Sequence, residues 1–284
     1  MDPRARPYRS VLYIPGSNAR ALEKAKTLPV DAVIFDLEDA VSVDEKPNAR
    51  ETLAQALEAG GFGARIKIVR INGLDTVWGR EDAIAAAKMD CDAILLPKVN
   101  GPEDLDALAE ITGGIPLWAM METPRGMLNA AAIAAHPKLQ GMVMGTNDLA
   151  KELQTRFRPD RMPMMAGLGL CLLAAKAEGL VIVDGVYNAF KDVEGLSAEC
   201  AQGRDMGFDG KTLIHPAQVE TANTAFAPTE REAETARRQI AAFEEAQAAG
   251  QGVAVVDGRI VENLHVVTAR EILAKADAIA ALSA

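Results

Sequence analysis

Two acidic side chains stand at the ends of two consecutive apolar runs: Glu122 in PLWAMMET and Asp148 in GMVMGTNDL. Side chains that end neighbouring parallel strands can converge on one point. Two carboxylates, with further oxygens from substrate and water, suit a hard cation such as Mg²⁺, and Mn²⁺ accepts similar ligands. The alternative is that lysines or helix N-termini neutralise the pair. The pattern favours a metal site with Glu122 and Asp148 as ligands.

A second group of charged side chains comprises Asp36 and Glu38 in DLED and Arg70 in IVRIN. A guanidinium binds both oxygens of a carboxylate in one plane, which makes Arg70 a candidate to hold the acid group of a substrate. Asp36 and Glu38, two residues apart on one strand face, could bind the metal through its waters or orient Arg70. Plain ion pairs with Arg70 or Lys98 are the alternative. An arginine and a metal ion side by side indicate that the ligand is a 2-oxo or 2-hydroxy acid.

Eight short apolar runs carry these residues, and almost every run ends in a charged or amide side chain. Ala-, Leu- and Glu-rich stretches of helical period separate them, so strand and helix alternate as in a TIM (β/α)8 barrel. The carboxyl ends of the strands share one mouth in that fold. We therefore expect one site at the mouth, with Asp36, Glu38, Arg70, Lys98, Glu122, Asp148, Asp184 and Lys211. The runs are residues 10–15, 32–39, 66–72, 93–99, 116–123, 141–149, 181–187 and 210–216.

Two segments depart from the repeat. Residues 150–167 are long for a connection and rich in Arg, Met and Pro, which predicts an active-site loop over the mouth. Residues 226–284 read as a charged helix, a short strand-like segment and a last helix. The pattern predicts a catalytic barrel over residues 1–225, and an arm or lid over residues 226–284 that closes a neighbouring subunit's site.

Composition limits the classes of protein that this chain can belong to. A net charge of −10 over 284 residues argues against general nucleic-acid binding. No apolar run reaches the length of a membrane helix, and the N-terminus is not of signal-peptide type, so we expect a cytoplasmic protein without a membrane partner. The first 26 residues are nevertheless basic, with six Lys or Arg against two acidic residues. They form either a solvated face or a rim for the phosphates of a large anionic ligand.

The motifs in their order resemble the citrate lyase β-subunit-like proteins, a family that includes malyl-CoA and β-methylmalyl-CoA lyases. The resemblance covers essentially the whole chain, and its longer stretches are similar to a malyl-CoA thioesterase branch of that family. The shared motifs are RSVLYIPGS, IFDLEDAV, DEKPNAR, VRING, LPKV, METPRGM, GTNDL and GFDGKTLIHPAQ.

The resemblance implies a TIM barrel with Mg²⁺ on Glu122 and Asp148, and with Arg70 on the substrate acid. It also implies coenzyme A across the mouth, near the basic N-terminal segment with Arg9 and near the DEKPNAR loop with Lys46 and Arg50. Proteins of this kind are commonly homotrimers or homohexamers, in which the C-terminal segment closes a neighbour's site.

One departure from the family bears on the reaction. Lyases of the family carry an aspartate as base in a GKMID-like segment, whereas this chain has DGRIVEN with Glu262 at that place. An extra methylene moves the carboxylate by roughly 1 Å, which favours activation of a water over proton transfer on carbon. We therefore expect Mg²⁺-dependent hydrolysis of (S)-malyl-CoA, with Glu262 as the base. The alternative for Glu262 is a solvated residue of the arm.

The motifs leave two other functions open. One is a lyase that cleaves malyl-CoA, β-methylmalyl-CoA or citramalyl-CoA to a 2-oxo acid and an acyl-CoA. The other is a carrier-dependent subunit that works only within a citrate lyase-type complex.

Overall fold

The computed structural model describes residues 6–283. Eight parallel strands form a closed barrel in chain order, with the eighth paired to the first, which confirms the expected TIM barrel. Apolar runs buried on both faces are typical of a parallel sheet covered by helices. The strands are β1 (Ser10–Pro15), β2 (Ala32–Asp36), β3 (Ile66–Arg70), β4 (Ala93–Leu96), β5 (Leu117–Met121), β6 (Leu139–Met144), β7 (Val181–Asp184) and β8 (Gly210–Leu213).

Helices follow the strands and cover the outside of the barrel. Some begin with proline at the first position, where the missing N–H costs no helical hydrogen bond; Pro124, for example, follows Thr123, whose hydroxyl accepts from the N–H of Gly126. The helices are α1 (Ala19–Ala25), α2 (Lys46–Ala59), α3 (Gly79–Ala86), α4 (Pro102–Thr112), α5 (Pro124–Leu128), α6 (Ala130–Ala134), α7 (Thr146–Glu152), α8 (Met165–Ala177), α9 (Val193–Met206) and α10 (Val219–Phe226).

Alternation along each strand divides the core into two layers. One set of side chains fills the barrel interior, including Ile34, Ile68 and Trp118. The residues between them, such as Phe35 and Val69, point outward and pack under the helices. The interior is tight at Gly141, because a Cβ atom there would overlap the ring of Trp118. This alternation decides which polar residues at the strand ends reach the mouth.

The connection after β6 differs from the sequence-based expectation. Residues 141–149 are not one strand, since β6 ends at Met144 and α7 begins at Thr146 after the N-cap residue Gly145. Asp148 therefore lies in the first turn of α7. Only the part of the 150–167 segment between α7 and α8 is irregular, and it contains a short 3-10 turn over Met162–Met164.

A C-terminal unit begins at Ala227, and the barrel unit comprises Tyr8–Phe226. It contains α11 (Glu230–Ala248), the antiparallel strands β9 (Ala254–Val256) and β10 (Arg259–Val261), and α12 (Asn263–Ser283). Asp257 and Gly258 join the strands with positive φ at both positions, the geometry of a tight hairpin turn. The hairpin packs one face, with Ala254 and Val261, on Phe243 of α11. None of the helices within residues 6–283 is long and apolar enough to span a membrane.

Candidate active site

Asp36 and Arg70 are the last residues of β2 and β3 and are paired neighbours in the sheet. Arg70 Nε donates to Asp36 Oδ1 at 2.7 Å and Nη2 donates to Oδ2 at 2.6 Å. The guanidinium carbon lies 4.9 Å from the centre of the Tyr13 ring. Burial alone would raise the pKa of Asp36, but the charge and hydrogen bonds of Arg70 outweigh burial and lower it. Asp36 thus fixes one edge of the guanidinium and leaves Nη1 for another partner.

Glu38 lies two residues after Asp36 and is buried. Each of its carboxylate oxygens contacts a different cationic side chain. Its Oε1 accepts a hydrogen bond from Lys98 Nζ at 2.6 Å. Its Oε2 lies 2.9 Å from Arg70 Nη1, an ion pair by distance, but no hydrogen bond reaches this buried oxygen from residues 6–283. Burial raises the pKa of Glu38, and the charge of Arg70 opposes that rise. The ion pairs with Arg70 and Lys98 that the sequence left open are therefore present.

Lys98 connects this group to Glu122. It follows β4 with φ at 52°, a left-handed conformation that costs a residue with a Cβ atom about 1–2 kcal/mol. In this conformation its backbone N–H donates to Glu122 Oε1 at 2.8 Å, while its ammonium reaches Glu38. Unusual backbone conformations of this kind cluster at functional sites. Sequence reasoning placed Lys98 at the mouth but missed this double role, because nothing in LPKV signals a positive φ.

Glu122 is buried at the end of β5, and Asp148 is half-buried in the first turn of α7. Gly145, which lies between β6 and α7, packs so closely on Glu122 that a Cβ atom at this position would overlap the carboxylate. Burial, followed by the negative charge of Glu38, raises the pKa of Glu122 to about 7, and the charge of Asp148 adds to the rise. The carboxylates of Glu38, Glu122 and Asp148 thus form one acidic group.

This acidic group fits a divalent cation. Burial, with the charges of Glu38 and Asp148, raises the pKa of Glu122, so a positive charge placed beside these carboxylates would stabilise the ionised form of Glu122. No cluster of three or more His, Cys, Asp or Glu side chains with ligating geometry occurs among residues 6–283. A metal ion here would therefore have at most two such side chains as ligands, and Glu122 and Asp148 remain the expected pair. Mg²⁺ tolerates few protein ligands, because it commonly keeps several waters or substrate oxygens.

Two residues expected at the mouth lie elsewhere. Asp184 and Lys211 are fully buried, and Asp184 Oδ2 accepts from Lys211 Nζ at 3.0 Å. Arg161 Nη1 donates to both oxygens of Asp184, and Glu199 of α9 accepts from Lys211. Val183 faces the barrel interior, so Asp184 faces the helices instead. This buried network attaches the segment after α7 to the barrel wall.

The three basic residues expected to bind coenzyme A all have carboxylate or carbonyl partners. Arg9 lies before β1, at the end of the barrel opposite the mouth, and its guanidinium binds Asp31 with two hydrogen bonds. Lys46 is buried, and its ammonium donates to the carbonyls of Leu37 and Glu38 and to Asn72. This placement gives neither residue a free donor at the mouth. Residues 1–5 of the basic segment lie outside the described residues.

Arg50 of α2 is held on the outside of the barrel. Its Nε donates to Asp82 and its Nη1 to Glu81, both in the first turns of α3, at 2.9 Å each. These ion pairs link two outer helices, so the structure gives Arg50 a role in helix packing. Lys98 and the exposed Arg125 are cationic groups at the ends of β4 and β5.

A cavity of about 700 Å³ opens beside Lys98 at the ends of β4 and β5. Its walls combine apolar side chains, among them Leu96 and Leu128, with the charged Arg125 and Glu152. The cavity is therefore adjacent to the acidic group and offers both apolar and cationic contacts to an elongated ligand.

Glu262 belongs to the C-terminal unit, where it stands between β10 and α12 and is exposed. Its backbone N–H donates to His265 Nδ1 at 3.0 Å, and its carbonyl accepts from the N–H of His265. These bonds fix the backbone at the start of α12.

The family is shown by comparison with known proteins. The model of the HpcH/HpaI aldolase/citrate lyase family matches residues 9–216. The chain belongs to this family. A second model, for a carbon–carbon bond lyase of the TIM-barrel fold, matches residues 163–280. The resemblance to citrate lyase β-subunit-like proteins is thereby confirmed.

Individual relatives agree with the family. A protein of Cereibacter sphaeroides named (3S)-malyl-CoA thioesterase is 68% identical over 284 residues, which cover 100% of both chains. Citrate lyase subunit beta of Escherichia coli is 34% identical and covers 96% of this chain and 95% of its own. The protein CitE of Mycobacterium tuberculosis, solved with magnesium, acetoacetate and coenzyme A, superposes with a TM-score of 0.80 at 30% identity, over 96% of this chain and 99% of its own.

Proposed function

We propose that this family member hydrolyses (S)-malyl-CoA to malate and free coenzyme A, with Mg²⁺ as cofactor. The observation that carries the proposal is the 68% identity, over the entire length of both chains, to relatives named (3S)-malyl-CoA thioesterase. The site geometry agrees with it, because an acidic group suited to a cation lies next to an arginine suited to an acid. Magnesium and coenzyme A in the related CitE structure support the same cofactor and substrate class.

Glu122 and Asp148 are the residues that would hold Mg²⁺, and Mn²⁺ would fit the same oxygens. When bound, the ion supplies a positive charge that orients the hydroxyl and carboxylate of the malyl group. The other residues of the mouth have simpler roles. Arg70 binds the free carboxylate of the substrate through the side that Asp36 does not occupy, and Asp36 keeps the guanidinium in place. Arg70 is therefore both a structural ion-pair partner and the anchor of the substrate.

Glu262 is the proposed base. It removes a proton from water as the water oxygen attacks the thioester carbonyl, and the carbon–sulfur bond then breaks to release the thiolate of coenzyme A. The side chain is exposed, and no hydrogen bond or ion pair from residues 6–283 fixes it, so it is free to act on a water. We propose that it acts at the mouth of a neighbouring subunit in a homotrimer or homohexamer.

The C-terminal unit has a surface suited to such an assembly. Val255 and Ile260, opposite each other on β9 and β10, are 66% and 62% exposed. Val253, Leu264 and Val267 of the same unit are also exposed. Exposed apolar patches of this kind mark contacts between proteins. A patch next to Glu262 supports docking of the arm on another copy of the chain.

A lyase reaction is the second candidate, since citrate lyase subunit beta is also a relative and a lyase model matches residues 163–280. One assay separates the two reactions. Purified protein with Mg²⁺ and malyl-CoA should release thiol and malate in equal amounts, without glyoxylate trapped by phenylhydrazine. Glyoxylate and acetyl-CoA as the main products would establish the lyase. Turnover that needs an added acyl-carrier partner would establish a subunit of a larger complex.

A further inference from the structure

Glu38 has a buried oxygen that lacks a hydrogen-bond donor. The residue is only 7% exposed, and its Oε2 receives no hydrogen bond within residues 6–283. A buried carboxylate oxygen without a donor is costly, and such exceptions in a native structure call for an explanation. Arg70 Nη1 is 2.9 Å away but does not donate to it. A donor from outside the chain would satisfy this oxygen.

Three hydrogen bonds hold Glu38 in place, two at its backbone and one at its other carboxylate oxygen. The backbone N–H of Glu38 donates to Asp36 Oδ1 at 2.9 Å, and Lys46 holds the carbonyl of Glu38 at 2.8 Å. The ammonium of Lys98 binds the other carboxylate oxygen at 2.6 Å. The side chain therefore cannot rotate without losing the Lys98 bond, and Oε2 stays beside Arg70.

The charges of Glu38 and Arg70 indicate which kind of group can donate a hydrogen bond to Oε2. A negative oxygen repels a substrate carboxylate, which goes to the arginine instead. A neutral hydroxyl can donate its hydrogen to Glu38 Oε2 while a carboxylate on the adjacent carbon meets Arg70. We propose that Glu38 is the residue that recognises the hydroxyl group of the substrate's acid end. This inference rests on the proposed function, and it makes Glu38 determine specificity for a hydroxy acid over its deoxy analogue.

Comparing malyl-CoA with succinyl-CoA isolates this contact, since the two esters share the carboxylate and coenzyme A and differ in the hydroxyl. Glu38→Gln is the variant of choice. Lys98 should bind the amide oxygen, so the amide nitrogen would take the place of Oε2 and present hydrogens where an acceptor is needed. We expect kcat/KM for malyl-CoA to fall about 10²-fold, while the inhibition constant of succinyl-CoA changes less than about threefold.

Asp39→Asn is the matched control. Asp39 is the next carboxylate, 62% exposed at its side chain and 3.8 Å from Arg70 Nη1, so the variant removes a charge near the same guanidinium without touching the buried oxygen. Its kcat/KM for malyl-CoA and its inhibition constant for succinyl-CoA should stay near the wild-type values. A parallel loss for both esters in Glu38→Gln would mean that Glu38 only holds Arg70, and no loss for either would mean that Glu38 does not meet the substrate. Either result overturns the inference.

Lys98→Met provides a second variant if Glu38→Gln folds poorly, because it frees the carboxylate to rotate and should also reduce the preference for malyl-CoA. Lys176→Met removes a comparably exposed lysine ion pair, with Asp209, on the outside of the barrel and should have no effect. A wild-type protein that does not hydrolyse malyl-CoA would defeat the proposed function alone. The inference would then be tested by calorimetric affinities, in which the preference for malyl-CoA over succinyl-CoA must exist and must disappear in Glu38→Gln.

Discussion

Arg70→Lys keeps the charge of the proposed substrate anchor but removes its planar fork. The arginine makes two hydrogen bonds to Asp36, and a lysine can replace only one of them. Asp36 retains bonds from the backbone N–H groups of Glu38 and Ala40, so its carboxylate does not become an isolated buried charge. Loss of one charged hydrogen bond corresponds to about 1.5–3 kcal/mol of stability. We expect this cost in urea unfolding whether or not Arg70 meets the substrate.

The kinetic effect of Arg70→Lys separates the two roles of the residue. If Nη1 binds the free carboxylate of malyl-CoA, kcat/KM should fall by roughly 10²-fold or more, since an ammonium displaced toward Asp36 cannot bind both acids. Thiol release measured over a range of malyl-CoA concentrations gives kcat and KM separately, at a temperature where circular dichroism shows the variant folded. Near wild-type kinetics together with the loss of stability would refute the substrate role and leave Arg70 as an ion-pair residue.

Three further predictions concern the metal, the base and the buried network. Glu122→Ala and Asp148→Ala should each abolish Mg²⁺-stimulated thiol release while circular dichroism stays unchanged, and full stimulation in either variant would contradict the metal assignment. Glu262→Gln should lower the rate of hydrolysis by about 10²–10⁴-fold with little change in KM. Glu262→Asp should lose hydrolysis and form some glyoxylate. Normal hydrolysis by Glu262→Gln would mean that another residue is the base. Arg161→Gln should lower the free energy of unfolding measured in urea by about 3 kcal/mol, because it breaks the buried ion pair with Asp184. Arg158→Gln on the same segment is the control, since its ion pair with Asp160 is exposed, and it should not lower the free energy of unfolding.

Sequence reasoning located the site residues that strand alternation places in the barrel interior. Asp36, Arg70 and Glu122 each follow an interior residue by two positions, as Ile34, Ile68 and Met120 show, so strand-end position was sufficient to predict them. The same argument would have placed Asp184 outside, since Val183 is an interior residue. Treating every charged strand end as part of the mouth was the error.

Other features had no signal that a single sequence could provide. The left-handed backbone of Lys98 depends on hydrogen bonds to Glu122 and Glu38 that only the closed barrel brings together. The side-chain partners of Lys46 and Arg50, Asn72 and Asp82, lie 26 and 32 residues away and could not be predicted from the local pattern. The start of α7 is different, because the small and polar residues GTND after Met144 already indicate that the strand ends there and that a helix can begin.

Gly145 has a consequence for how this barrel can be altered. Its φ of −94° is open to any residue, yet a methyl group there would collide with both Cβ and the carboxylate of Glu122. We therefore expect Gly145→Ala to displace Glu122 and lower activity although every reacting group is still present. In evolution, one substitution at this position would be enough to disturb the site. For the experimenter, a Gly145→Ala protein that circular dichroism shows to be folded would be suited to trapping an uncleaved thioester.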